Sequence, residues 1–395
     1  VDYALVLSEL GELYYITKEY ENSIVYYQKS NSVLDKNESN KNICITNSER
    51  IADAYFKLKD FKKSRKYYLE VLDLRENNND KSSIEYSNTC KKIARVCIEM
   101  RKISEADEYY FKCKQIIETN KGKESFEYLE VNAELAEYYR RRRQYDKAEN
   151  LYKENLELSE SLSGVSDTLY ARNCENLALF YMRMSKYNEA EKLILKTKEI
   201  FSNQLPSDDK RYIDAVYNLA FLYKSKGEYI LAEPLYSEVK KLVEEKYSSK
   251  SIQYAKASSD LARLYTDMGL YEAAEPLYVE SMSIIERELG KENLEYAKIS
   301  NDIASLYVLL KNYNAAEPLF IESKDLKSEI DGKKSITYAV ACNNLAYLYL
   351  ENKQYSESEK LFKQAIKIYD KKYGKNNPLY INYIKAINNL GTVYI

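Results

Sequence analysis

The sequence predicts an all-α protein, a right-handed solenoid of stacked helical hairpins, and three observations carry that prediction. Only 9 Gly and 5 Pro occur in 395 residues that are 45% apolar and 31% charged, too few turn residues for a many-stranded sandwich or barrel and too much apolar material for a disordered chain. A small residue recurs at Gly11, Ala52, Ala94, Ala136, Ala178, Ala220, Ala262, Ala304, Ala346 and Gly391, in steps of 41, then 42 seven times, then 45 residues. Around each of these anchors the apolar positions fall at helical spacing. Nine repeats and the first helix of a tenth therefore fill residues 1–395.

Each unit reads as two helices. In helix A, Tyr lies eight before the anchor, usually a small residue four before, Leu or Ile one before and Tyr three after, as in Leu261-Ala262 with Tyr265 and Ile303-Ala304 with Tyr307. Helix B carries its stripe nine, twelve and sixteen after the anchor, as in Tyr271, Ala274 and Tyr278. The small residues at the anchor and at twelve after it permit close helix contact, because a methyl or a hydrogen lets an aromatic ring approach the partner's backbone. Gly227 and Gly269 mark the short turn from A to B. Gly122, Gly164, Gly290, Gly332 and Gly374 all sit 28 after their anchors, where helix B needs a residue tolerant of the left-handed conformation. Extra loop residues around Asn376, Asn377 and Pro378 account for the last, longer step. Pro234, Pro276 and Pro318 each fall fourteen after an anchor, near the beginning of helix B, and predict a mild kink there. Most of the 42 Tyr occupy four recurring slots, so they read as packing residues with a hydroxyl that reaches a boundary polar group.

These residues closely resemble the tetratricopeptide repeat family, along the whole chain. Ala274-Glu275-Pro276-Leu277-Tyr278 and Leu289-Gly290-Lys291-Glu292-Asn293 carry the likeness most strongly. The usual unit of that family is about 34 residues, and the longer unit here is similar to its kinesin light chain subtype. The family's Trp slot, four before the anchor, holds small residues such as Cys90, Ser258 and Cys342. The helix B Ala slot is Ser23, Ser64 and Ser358 in repeats one, two and nine, which are expected to pack less tightly.

Composition excludes much chemistry. There is no His, which removes imidazole triads, Cys-His pairs and imidazole metal ligands. Cys44, Cys90, Cys97, Cys113, Cys174 and Cys342 form no CxxC pair and read as structural thiols in a reducing, cytoplasmic setting. Neither a glycine-rich phosphate loop nor a membrane-length apolar run is present, and no cofactor is expected. Net charge is −2, so no overall field steers the chain to nucleic acid, and the run Arg140–Arg143 is a weak signal for it. Val1 is no start Met, and the chain ends at Ile395 inside a helix A whose apolar side should need a cap, so a longer protein is expected.

The A helices of such a solenoid line a concave groove. In the family resembled, this groove commonly holds an extended peptide or a partner's helix, and the slot two before the anchor is often Asn. Here that slot holds Asn176, Asn218, Asn344 and Asn389, with Asp260 and Asp302 between. An amide can clamp a peptide backbone through its donor and acceptor, or it can bridge neighbouring repeats. Arg140, Arg141, Arg172, Arg183, Lys224, Lys256, Arg263 and Lys298 also fall at groove-type positions, opposed by Glu137, Glu175, Asp214 and Asp267. Such a stripe fits an acidic partner segment, or is simply a solvated helix face. The ligand-binding candidates are thus Asn176, Asn218, Asn344, Arg140, Arg172, Arg183, Lys224 and Arg263. The expected function is a non-enzymatic protein-protein interaction scaffold. The alternative is the sensor or regulatory arm of a multidomain effector whose protease or nucleotide-switch domain lies outside this chain.

Overall fold

The repeating stripe folds as α-helix in both halves of every unit. A computed structural model describes residues 2–34, 40–77, 80–373 and 380–394, and among them there is no strand. Val1, Gly374, Asn376, Asn377, Pro378 and Ile395 lie outside the described residues. The chain divides into two compact units, Val1–Phe180 and Tyr181–Ile395. The first contains α1 (Asp2–Ile16), α2 (Tyr20–Val33), α3 (Lys41–Lys57), α4 (Phe61–Glu76), α5 (Ile84–Glu99), α6 (Ile103–Lys121), α7 (Phe126–Arg141), α8 (Tyr145–Ser163) and most of α9 (Thr168–Arg183). The second contains α10 (Tyr187–Gln204), α11 (Lys210–Lys226), α12 (Tyr229–Tyr247), α13 (Ile252–Asp267), α14 (Tyr271–Leu289), α15 (Leu294–Leu309), α16 (Tyr313–Asp331), α17 (Ile336–Glu351), α18 (Tyr355–Tyr373) and α19 (Tyr380–Val393). Consecutive helices pack on one another from α1 to α8 and from α10 to α19. Odd-numbered helices are the A helices and even-numbered ones the B helices.

Anchor packing follows from size. Gly11 and the eight anchor alanines are buried, whereas Gly391 in α19 is exposed. The ring sixteen residues on is buried as well, as Tyr27, Tyr68, Tyr110, Tyr236, Tyr278, Phe320 and Phe362 show. At Gly11 a Cβ would stand 3.0 Å from three ring carbons of Tyr27, so the aromatic face rests on the anchor itself. Burying each such ring stabilises the hairpin by about 2 kcal/mol. The serines at the helix B small slot are no looser than their alanine counterparts, since Ser23, Ser64 and Ser358 are fully buried. Ser64 and Ser358 also donate their hydroxyls to the carbonyls of the anchors Ala52 and Ala346, at 2.9 and 2.8 Å.

Tyrosine hydroxyls tie neighbouring repeats. In the second unit Tyr223, Tyr265, Tyr307 and Tyr349, each three after an anchor, donate to Glu191, Glu233, Glu275 and Glu317 of the preceding helix B, at 3.1, 3.0, 3.0 and 2.9 Å. Within a repeat, Tyr128 donates to Glu154 at 2.8 Å and Tyr212 to Glu238 at 2.9 Å. The ring therefore fills the core while its hydroxyl reaches the rim.

Helix ends are set locally. Ser83, Ser125, Ser251, Asn293 and Ser335 cap α5, α7, α13, α15 and α17, each accepting from the backbone N–H three residues on. Every A-to-B turn places the residue seven after its anchor at positive φ. Gly occupies this position at Gly227 and Gly269, but Lys18, Lys59, Arg101, Arg143, Ser185, Lys311 and Lys353 take it elsewhere, with φ of 58 to 66°. The next N–H bonds back to the carbonyl of the residue three after the anchor, as from Asn312 to Tyr307 at 2.8 Å, closing a Schellman motif. Pro234, Pro276 and Pro318 lie inside α12, α14 and α16, which continue through them as single helices.

Helix B stops differ from the expectation in one respect. Gly122, Gly164, Gly290 and Gly332 have positive φ, but their ψ values of 169, 162, −170 and 154° put them outside the left-handed helical well, in a region essentially reserved for glycine. Ser248 occupies the same position in the sixth repeat with φ 77° and ψ 157°. A side chain there costs about 1–3 kcal/mol. Replacing Ser248→Gly should therefore raise the urea midpoint, by about 1 kcal/mol in unfolding free energy, and Gly290→Ser should lower it comparably. An unchanged or lower midpoint for Ser248→Gly would show that this turn carries no strain.

Candidate functional site

Positions just off the packing stripe of the A helices are the ones left to face a ligand. In the first unit they produce a groove of about 550 Å³, lined mainly by α5, α7 and α9. Its apolar part comes from Ile98, Leu129, Ala133 and Leu169, with the exposed ring of Phe126 at one end. The polar part comes from Arg95, Glu99, Glu130, Glu134, Glu137 and Arg141, joined on α9 by Arg172 and Asn176.

Most of these charges are already engaged. Arg95 grips Glu134 through two hydrogen bonds, Nε to Oε2 at 3.0 Å and Nη2 to Oε1 at 2.5 Å. Lys91 Nζ lies 3.6 Å from Glu134 and 3.5 Å from Glu130. Glu137 accepts two bonds from Arg140, at 2.6 and 2.5 Å, and one from Arg141 at 2.9 Å. Burial by itself would raise the Glu137 carboxyl, but the hydrogen bonds from Arg140 and Arg141 outweigh it and hold it at about 2. Arg172 is exposed and, among the described residues, has no carboxylate within 4 Å. Asn176 is half-buried in the lining.

In the second unit the candidate cations serve joints between repeats. Lys224 pairs with Asp267 at 3.0 Å. Arg263 bridges Asp260 on its own helix at 2.8 Å and Asp302 on α15 at 2.6 Å. Burial would lower the Arg263 pKa, and the two aspartates more than reverse that, keeping it raised. Lys256 pairs with Glu295 at 2.6 Å, and the Asn344 amide donates to Asn301 Oδ1 of α15 at 2.9 Å. Asn218 and Asn389 are half-buried, and Arg183 is exposed.

Of the eight candidates, then, Arg172 and Asn176 stand together in the groove, and Arg140 acts behind it through Glu137. Lys224, Arg263 and Asn344 hold repeats together. Sequence reasoning missed Arg95, Glu134 and Phe126. The available signal was spacing: Arg95 to Glu134 and Arg263 to Asp302 are both 39 residues apart, one repeat less three.

None of the six cysteines is in a disulfide, and five of them are buried while Cys44 is half-buried. Burial pushes the Cys90 thiol up to about 12 and those of Cys113 and Cys342 to about 11, so these three are not primed as nucleophiles. Among the described residues no group of three or more Cys, Asp or Glu is placed to hold a metal ion, and no helix is long and apolar enough to cross a membrane.

Sequence models of the tetratricopeptide repeat match residues 211–287, 253–329 and 295–371, and further ones match 49–78 and 133–168, together more than half of the chain. This chain belongs to the tetratricopeptide repeat family. Its repeating unit is 42 residues long. No curated protein matches it. Among solved structures, the tetratricopeptide array is similar to aspartyl phosphate phosphatase F from Bacillus subtilis, 13% identical with TM-score 0.58 over 95% of each chain. It is also similar to a STAND protein with a tetratricopeptide repeat sensor from Pyrococcus horikoshii, 17% identical with TM-score 0.56 over 96% of this chain and 55% of that one. A Rap protein complexed with competence and sporulation factor is 14% identical, with TM-score 0.51 over 94% of this chain and 98% of that one. At these identities the likeness is one of fold.

The depressed Glu137 carboxyl has a pH consequence. Its contribution to stability is present above the ordinary carboxyl range and is lost as pH falls toward about 2. Urea midpoints taken at several pH values across that interval should fall less steeply for Glu137→Gln than for the unmodified array. Parallel pH profiles would show that the Arg140 and Arg141 contacts do not stabilise the ionised form.

Proposed function

We propose that this array, nine repeats and the first helix of a tenth, is a non-catalytic protein-protein interaction scaffold that binds a peptide or partner-protein segment along its A helices. One observation carries the reading: three successive A helices of the first unit present an apolar trough with an exposed ring, an uncommitted guanidinium and an amide at its wall. Phe126, Leu129 and Leu169 would take apolar side chains, Asn176 the partner's backbone, and Arg172 a carboxylate. The preferred partner is therefore an acidic segment, and nucleic acid is not the expected ligand. Such a preformed surface binds with little ordering cost to the scaffold. The structurally similar Rap protein was determined with competence and sporulation factor bound, which supports ligand binding on this fold. A reducing cytoplasmic setting suits six cysteines that form no disulfide.

A second reading makes the array the sensor arm of a larger effector. It is favoured by the similarity to the Pyrococcus horikoshii STAND protein, whose tetratricopeptide repeats are its sensor. The coding sequence on either side of this segment separates the two readings.

Affinity capture with the whole chain, followed by binding measurements on the recovered partner, tests the proposal. Arg172→Glu should weaken binding by about tenfold or more, as expected for loss of a charge-assisted hydrogen bond. Arg263→Glu should instead lower the melting temperature, since it breaks a joint. A partner held equally well by Arg172→Glu would remove the first-unit groove as its site.

A further inference from the structure

Charge is distributed differently around the two arginine rungs that cross neighbouring A helices. In the first unit Glu134 is shared by Arg95 and Lys91 and Glu137 by Arg140 and Arg141, while Glu130 meets Lys91 alone. In the second unit the ratio is reversed, with the single cation Arg263 shared by Asp260 and Asp302. Arg263 is thus held between two carboxylates of the chain, whereas Arg95 is held by one. A guanidinium has five N–H donors, and Arg95, about half exposed at 47%, spends only two of its contacts on Glu134.

We infer that Glu134 is an intramolecular competitor, occupying on Arg95 the position that a partner's carboxylate would take in the groove. The inference rests on the proposed function of that groove and adds how the site is regulated. Arg95 on α5 and Glu134 on α7 both line the trough, so their pair bridges the floor a ligand must cover. A tethered carboxylate acts at an effective concentration of about millimolar. A partner acid must displace it, and the exchange of one half-exposed ion pair for another gains little. The groove therefore rejects weakly acidic or lone carboxylates and admits segments that also fill the apolar trough and reach Arg172. Removing the competitor leaves Arg95 without its ion-pair partner, and its cation then counts toward the ligand, while Lys91 keeps Glu130.

The test uses the whole chain and a random library of short displayed peptides. Selected peptides are synthesised, and their dissociation constants are measured on the unmodified protein, Glu134→Gln, Arg95→Gln, the double variant and Arg172→Glu, with thermal melts to establish folding. Glu134→Gln keeps the size of the side chain and should tighten an acidic peptide by about tenfold. That gain should vanish when Arg95→Gln is added. Equal or weaker binding by a folded Glu134→Gln would overturn the competition. Selected peptides that lack Asp and Glu, or that ignore Arg172→Glu, would instead overturn the groove reading on which it stands.

Discussion

The contact between a small anchor and the aromatic ring sixteen residues later is the constraint on which the rest of this structure depends. At Gly11 the Tyr27 ring leaves a methyl only 3.0 Å of room, and at the buried alanines that methyl is in place. A larger side chain would force the ring out of its rotamer or the helices apart, and overpacking of that kind costs about 1–3 kcal/mol per site. The contact also fixes how helix B crosses helix A. Because one geometry recurs, the A helices come to lie side by side in the same register. Only then do slots one after an anchor and two before the next meet across 39 residues, as Arg95 and Glu134 do. The groove is a consequence of the anchors.

Repeat joints add a second layer of interaction, polar and at the rim. An array of this kind is stabilised by its hairpins and by nearest-neighbour interfaces, and here a tyrosine hydroxyl on a carboxylate is the commonest interface device. The joint between the second and third repeats departs from it in a coordinated way. Cys97 stands where Tyr would be, and Arg65 stands where Glu would be. Arg65, a donor where Glu would accept, gives its hydrogen bond to Glu105 at 2.5 Å. Both halves of the device have changed together, so the polar requirement at the rim is met by an ion pair.

Much of the fold was legible because burial selects residue size, and size is visible in a single sequence. The anchors, the Tyr slots and the glycines 28 after five of the anchors all report steric limits. The left-handed turn residue was legible only at Gly227 and Gly269. At Lys59, Arg143 or Lys311 the conformation is imposed by the Schellman hydrogen bonds rather than by the residue, and a lysine gives no sign of it. The site was harder still. Sequence position shows which slot Arg263 or Asn344 occupies, but whether the slot faces a ligand or a neighbouring repeat depends on the residue one repeat away. Asp302 and Asn301 claim those two. Arg172 and Asn176 occupy equivalent kinds of slot and meet no such claim among the described residues.

That shared use of slots couples stability to recognition. A side chain on the inner face of an A helix can spend its hydrogen bonds on the next repeat or on a ligand, and a carboxylate placed opposite an arginine moves it from the second role to the first. Arg263 is at one end of this scale, with two aspartates and a raised pKa. Arg172, with none, is at the other, and Arg95 lies between them. The affinity of such a surface is then set as much by the acids the array supplies to itself as by the bases it offers. It follows that an inner-face cation count, taken without its intrachain partners, overstates what a ligand can reach. In the first unit Arg95 meets one carboxylate, and the Arg263 rung of the second holds two.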